Sequence, residues 1–188
     1  RDVGSGTEIR GLTIANGRPT ELNSVGPGIY VAGNSQPTVS NCIIRDNQTL
    51  AGDEPRGGGI YCDVALIEDC EFLNNVALDF GGGAISCGAS TIQNCKFIGN
   101  RAGHDSGSAG AILSQSAIIR DCWFESNSAS AFIVSFGGAI SEYGVASIER
   151  CVFVRNMAQS FSQSSLGGAV AATGGGRIAE CIFIDNVA

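Results

Sequence analysis

The chain has 188 residues, among them 27 Gly, 9 Phe, 8 Cys and 4 Pro, and is 44% hydrophobic and 15% charged. That length suits one domain with a substantial core, and the composition excludes a disordered tail or a coiled coil. A net charge of −7 opposes the phosphate contacts of nucleic-acid binding, and no apolar run reaches the ~18 residues of a membrane-spanning helix.

The first patterned segment is Ile9-Arg10-Gly11-Leu12-Thr13-Ile14, and its design returns along the whole chain. A Cys-x-Ile-x-x-Asn copy follows at Cys42, Ile44 and Asn47. Five Cys-x-Phe-x-x-Asn copies come next: Cys70-Phe72-Asn75, Cys95-Phe97-Asn100, Cys122-Phe124-Asn127, Cys151-Phe153-Asn156 and Cys181-Phe183-Asn186. Successive steps from Leu12 are 30, 28, 25, 27, 29 and 30 residues. A Val or Ile stands three residues before each Cys, and glycine-rich links such as Gly82-Gly83-Ala84-Ile85 and Gly137-Gly138-Ala139-Ile140 lie between copies.

A fixed period sets the architecture. Apolar residues here alternate in twos, which is strand spacing and excludes the helical spacing of a leucine-rich repeat. A rung of about 28 residues carrying three short strands predicts an all-β, right-handed parallel β-helix over 1–188. With rungs ~4.8 Å apart, identical side chains stack into columns. Phe72, Phe97, Phe124, Phe153 and Phe183 form an aromatic column above Ile44 and Ile14, and the cysteines form a second. Asn47, Asn75, Asn100, Asn127, Asn156 and Asn186 form an amide ladder where strand gives way to turn, a place suited to a residue that tolerates the left-handed conformation.

The pairing of Gly-Gly-Ala-Ile with Phe-x-x-Asn resembles the repeat of the chlamydial polymorphic outer membrane proteins. More widely, Ile9–Ile14 is similar to rungs of the pectate-lyase-like superfamily. The first resemblance implies an exported, often adhesive passenger carried ahead of an outer-membrane barrel. The second implies a polysaccharide groove beside the strands.

Eight cysteines in an exported chain suggest disulfides, but stacked, parallel side chains ~4.8 Å apart do not converge as a disulfide requires. Reduced, buried thiols are expected. With no C-x-x-C pair and one His, no metal site and no cofactor are expected.

Loop length varies at one corner, across Arg18–Val25, Leu50–Arg56, Leu78–Gly81, Gly103–Ser108, Ser130–Phe136 and Gln159–Leu166. Loops on one edge of a rigid rod are a usual seat of binding. Phe132, Phe136 and Phe161 make two of these loops apolar, and Trp123 heads an apolar outward face that continues through Val152, Val154, Ile182 and Ile184. Either the loops cover that face or it is a patch for a partner or a sugar ring.

A lyase needs carboxylates for Ca²⁺ and a basic residue to take the proton, for which Asp53, Glu54, Arg56 and Asp79 are the candidates. A hydrolase needs two carboxyls about 5–9.5 Å apart, which Glu68, Asp69, Glu71 and Asp121 offer. His104 beside Asp105 reads as a solvated loop histidine, and Gly174-Gly175-Gly176 before Arg177 as a turn. Glu142 falls in an inward column with Val31, Cys62, Cys87, Ser114 and Ala172. A local turn aiming it outward is the preferred reading over a buried acid with a raised pKa.

The sequence is read as a non-catalytic, extracellular or cell-surface scaffold, with a polysaccharide lyase or hydrolase as the alternative. Host or cell-surface glycans or proteins are the expected partners, without nucleic acid and without membrane insertion by this segment. Ca²⁺ enters only under the lyase alternative. The start at Arg1-Asp2 and the uncapped repeat at Asn186-Val187-Ala188 point to an excerpt of a longer coil, or to end-to-end stacking of copies.

Overall fold

The computed structural model describes residues 6–20, 26–31, 35–50, 57–78, 80–103, 109–132 and 134–188. Among them the chain winds as a parallel β-solenoid without helix. Sheet I runs from Glu8–Arg10 to Gly175–Ala179, sheet II from Thr13–Ala15 to Ile182–Ile184, and sheet III from Ile29–Val31 to Val170–Ala172. One full turn visits Ile85–Cys87 in sheet III, Thr91–Gln93 in sheet I and Lys96–Ile98 in sheet II.

A fourth sheet, which the three-strand reading did not include, follows the asparagine corner. Sheet IV stacks Val76–Ala77, Arg101–Ala102, Ser128–Ala131 and Met157–Ser160. These strands bury the column Ala77, Ala102, Ala129 and Ala158, so no large buried side chain marks the sheet in the sequence. Two loops also pair with each other, Val134–Ser135 against Ser164–Ser165.

Single residues in the left-handed conformation turn both corners that flank sheet II. The first column is Gly11, Asn41, Asp69, Asn94, Asp121, Arg150 and Glu180, with φ between 51° and 69°. The second is Asn16, Asp46, Asn74, Gly99, Ser126, Arg155 and Asp185, with φ between 51° and 65°. The ladder asparagines are therefore not the left-handed residues; each follows one. The bend frees the asparagine side chain to point inward. At Asn100, Nδ2 donates to Phe72 O at 2.9 Å and to Asn127 Oδ1 at 3.0 Å. Its Oδ1 accepts from Asn75 N and Asn75 Nδ2, both at 3.0 Å. Four hydrogen bonds satisfy a fully buried amide. In the first rung Gly17 takes the ladder position and donates its N–H to Asn47 Oδ1 at 2.9 Å.

The glycine links have a steric cause. A Cβ on Gly83 would lie 2.2 Å from Gly110 O and 2.5 Å from Arg101 N, because sheet III begins where it crowds sheet IV. Inside the coil, Phe72, Phe97, Phe124 and Phe153 are fully buried. Neighbouring rings are 4.8 Å apart and 5–8° from parallel, out to Phe183. Register places this column above Ile44 and Ile14.

Replacing a ring in mid-stack removes contacts on both faces and leaves a cavity no neighbour can fill. Phe97→Ala should cost about 3–5 kcal/mol, measured as a loss of unfolding free energy in denaturant titration. A loss below about 1 kcal/mol would contradict the packing described.

Candidate functional site

Strand alternation puts Ile60 and Cys62 inside sheet III and Tyr61 between them outside. In register the outward positions form a line: Tyr30, Tyr61, Ser86, Leu113, Ser141, Ala171. The Tyr30 and Tyr61 rings stack with centroids 5.7 Å apart. Where that aromatic line gives way to Ser86, a cleft of about 330 Å³ opens on the sheet. Tyr61, Phe80 and Tyr143 wall it, nearly buried Leu113 lies at its floor, and Asp63 and Gln115 reach its rim. Phe80 and Tyr143 have centroids 6.4 Å apart, and Phe136 meets Tyr143 edge-on at 5.8 Å.

Behind the Tyr143 wall, Glu142 is fully buried. This corrects the outward reading: Ser114, Glu142 and Ala172 are register partners, and unbroken alternation from Ile140 aims the carboxyl inward. The Ser114 hydroxyl donates to Oε2, while Oε1 has no hydrogen-bond partner. Burial pushes the carboxyl pKa above its ordinary value, against the Ser114 hydrogen bond that lowers it.

All eight cysteines are free. In the ladder, Cys70 Sγ donates to Glu68 O at 3.1 Å and Cys95 Sγ to Gln93 O at 3.1 Å. Burial pushes the Cys95 thiol up, which keeps it protonated. Cys62 and Cys87 are register partners on neighbouring rungs at the cleft, and the interaction of the two thiols pulls Cys62 down and pushes Cys87 up.

Asp53, Glu54, Arg56, Asp79 and His104 lie outside the described residues. Glu68 lies on sheet I and Glu71 on sheet II, Asp69 and Asp121 sit at the corner between those sheets, and three of the four bind rung neighbours. Glu68 accepts from Gln93 at 2.8 Å and Glu71 from Lys96 at 3.2 Å. Asp121 accepts from Arg150 at 2.8 Å, and that guanidinium holds its carboxyl below the usual range. The glycines before Arg177 are not simply a turn: Gly175 and Gly176 open a strand, and a Cβ on Gly176 would lie 2.2 Å from Ala146 O. Arg177 reaches Glu149.

The four aromatic binding candidates occupy separate places. Trp123 stands 39% exposed on sheet II and donates its indole N–H to Glu125 at 3.0 Å, so the loops do not cover that face there. Phe132 and Phe161 are exposed on adjoining loops, linked by a hydrogen bond from the Ser162 hydroxyl to Phe132 O at 2.6 Å. Only Phe136 supports the cleft, through Tyr143. Tyr61, Phe80 and Tyr143 themselves were missed in the sequence; the outward line through Tyr30 and Tyr61 was the available signal.

Among the described residues no group of three or more His, Cys, Asp or Glu is placed to hold a metal ion. No helix there is long and apolar enough to cross a membrane. The family model for the right-handed β-helix region matches residues 2–188, and the chain belongs to that family. No curated protein and no solved structure matches the chain.

Because the folded carboxyl of Glu142 titrates above its unfolded value, its burial is fully tolerated below the ordinary glutamate range. The stability it contributes is lost as pH rises through the raised pKa. Glu142→Gln should therefore gain stability relative to the parent chain as pH increases from about 4 to 8. Parallel urea titrations at each pH check this, and a difference independent of pH would count against a buried, titrating carboxyl.

Proposed function

We propose that the chain is a non-catalytic binding scaffold from a secreted or cell-surface protein. The observation that carries the reading is the cleft on sheet III. Its walls come from separate rungs, so the stack of the coil holds them at fixed spacing before any ligand arrives, and pre-organised walls lower the ordering cost of binding. Tyrosine suits such a role, with an apolar body and a polar tip. The exposed Phe132 and Phe161 on the loop edge, and Trp123 on sheet II, add further contact points along the rod, and several weak contacts on one rigid body combine into avidity. The resemblance of the Gly-Gly-Ala-Ile and Phe-x-x-Asn repeat to exported passengers supports the surface setting.

The competing reading is a polysaccharide lyase or hydrolase of the same architecture. The chain should be assayed on a polysaccharide panel at several pH values, with and without Ca²⁺. Ultraviolet absorbance follows unsaturated uronates and reducing-end titration follows hydrolysis, while retention on immobilised glycans and cell surfaces follows binding. The expected outcome is retention without turnover, weakened by Tyr143→Ala. Turnover on any polymer would overturn the scaffold reading.

A further inference from the structure

The cleft on sheet III has a composition narrower than a general binding surface requires. Three aromatic side chains, Tyr61, Phe80 and Tyr143, converge on it from different rungs and loops. Among the described lining residues, Asp63 is the one charged at neutral pH, and no Lys or Arg is present. The chain as a whole carries a net charge of −7. Aromatic faces are the negative side of the ring quadrupole, so three rings and a carboxylate around one space attract a cation and repel an anion. The space of about 330 Å³ is at the small end of ligand pockets, sized for a compact group. Apolar Leu113 at the floor favours a cation sheathed in alkyl groups over a hydrated metal ion or a primary ammonium, which would have to shed water there without a full set of acceptors.

We propose that the cleft is an aromatic cage for a small organic cation carrying an alkylated ammonium group, of the choline type. The inference rests on the reading of this cleft as the binding site and names the ligand chemistry it selects. Tyr61, stacked on Tyr30 on one face, and the neighbouring rings of Phe80 and Tyr143 bound the cation, and Asp63 at the rim supplies the counter-charge. The alkyl groups rest on Leu113, and Gln115 offers a polar contact to a hydroxyl on the ligand. An acidic sugar such as a uronate is disfavoured at the same place, because its carboxylate meets Asp63 with no basic residue of the described lining to receive it.

The test is a titration of the ¹⁵N-labelled chain, followed through backbone amides at the cleft, with four probes: tetramethylammonium, choline, the neutral isostere 3,3-dimethylbutan-1-ol, and a neutral cello-oligosaccharide. Both cations should shift the amides of Gly88 and Gln115 saturably, and the neutral isostere should bind at least about tenfold more weakly. Tyr143→Leu and Tyr61→Leu, which keep apolar bulk, should each weaken choline binding about three- to thirtyfold. Asp63→Asn should weaken it less and reduce its salt dependence. Equal binding of choline and its neutral isostere overturns the cage, since the cleft then selects shape alone. Oligosaccharide shifts at these amides without cation shifts also overturn it, while leaving the cleft a binding site. Silence from all four probes at the cleft counts against both the cage and the site itself.

Discussion

Hydrogen bonding between parallel strands fixes the distance from one turn of the coil to the next, and everything else follows from that spacing. At 4.8 Å the phenyl rings meet face to face, as Phe72, Phe97, Phe124 and Phe153 do. The same spacing lets the amide of one asparagine donate to the next while its carbonyl oxygen accepts from the one before. A side chain that suits the column is therefore supported from above and below, and an unsuitable one is felt by two neighbours. This is why the chain repeats residue types rather than a loose hydrophobic pattern.

The constraint acts differently inside and outside the coil. Inside, it produces redundancy: thiols, rings and amides each recur until the column is full. Glu142 breaks that pattern, placing a carboxyl where its register partners are Ser114 and Ala172. Its hydrogen bond from Ser114 compensates in part, and the unpartnered Oε1 shows that compensation is incomplete. Outside, the same register lines up residues that need not resemble one another. The cleft arises there, where two stacked tyrosines are followed by a serine and loop residues Phe80 and Tyr143 close around the gap.

Much of the fold was legible because a column repeats in sequence what it repeats in space. Cys95, Phe97 and Asn100 can each be aligned with copies before and after, and alternation by two assigns their side. What was not legible falls into kinds with separate physical causes. The left-handed corner positions tolerate Asn, Asp, Ser, Gly, Arg and Glu, so no single residue type marks them, and the tolerance was credited to the asparagine that follows. Sheet IV buries only alanines, which carry no apolar bulk to mark it. Glu142 was judged by its chemistry, whereas register overrode chemistry. The cleft was hidden because its members come from different kinds of position: Tyr61 and Leu113 from the outward line of sheet III, Phe80 and Tyr143 from the turns beyond the strands, so no repeated motif joins all four.

The central claim is that stacked side chains in register, and the asparagine ladder above all, hold neighbouring turns together. Hydrogen–deuterium exchange on Asn100→Ala tests it most directly, because the Asn75 backbone N–H donates to Asn100 Oδ1 at 3.0 Å and loses that acceptor. The account predicts faster exchange at Asn75 and at the sheet II and sheet IV amides of the adjoining rungs, with sheet I of distant rungs unchanged. Unaltered protection at Asn75 would contradict it.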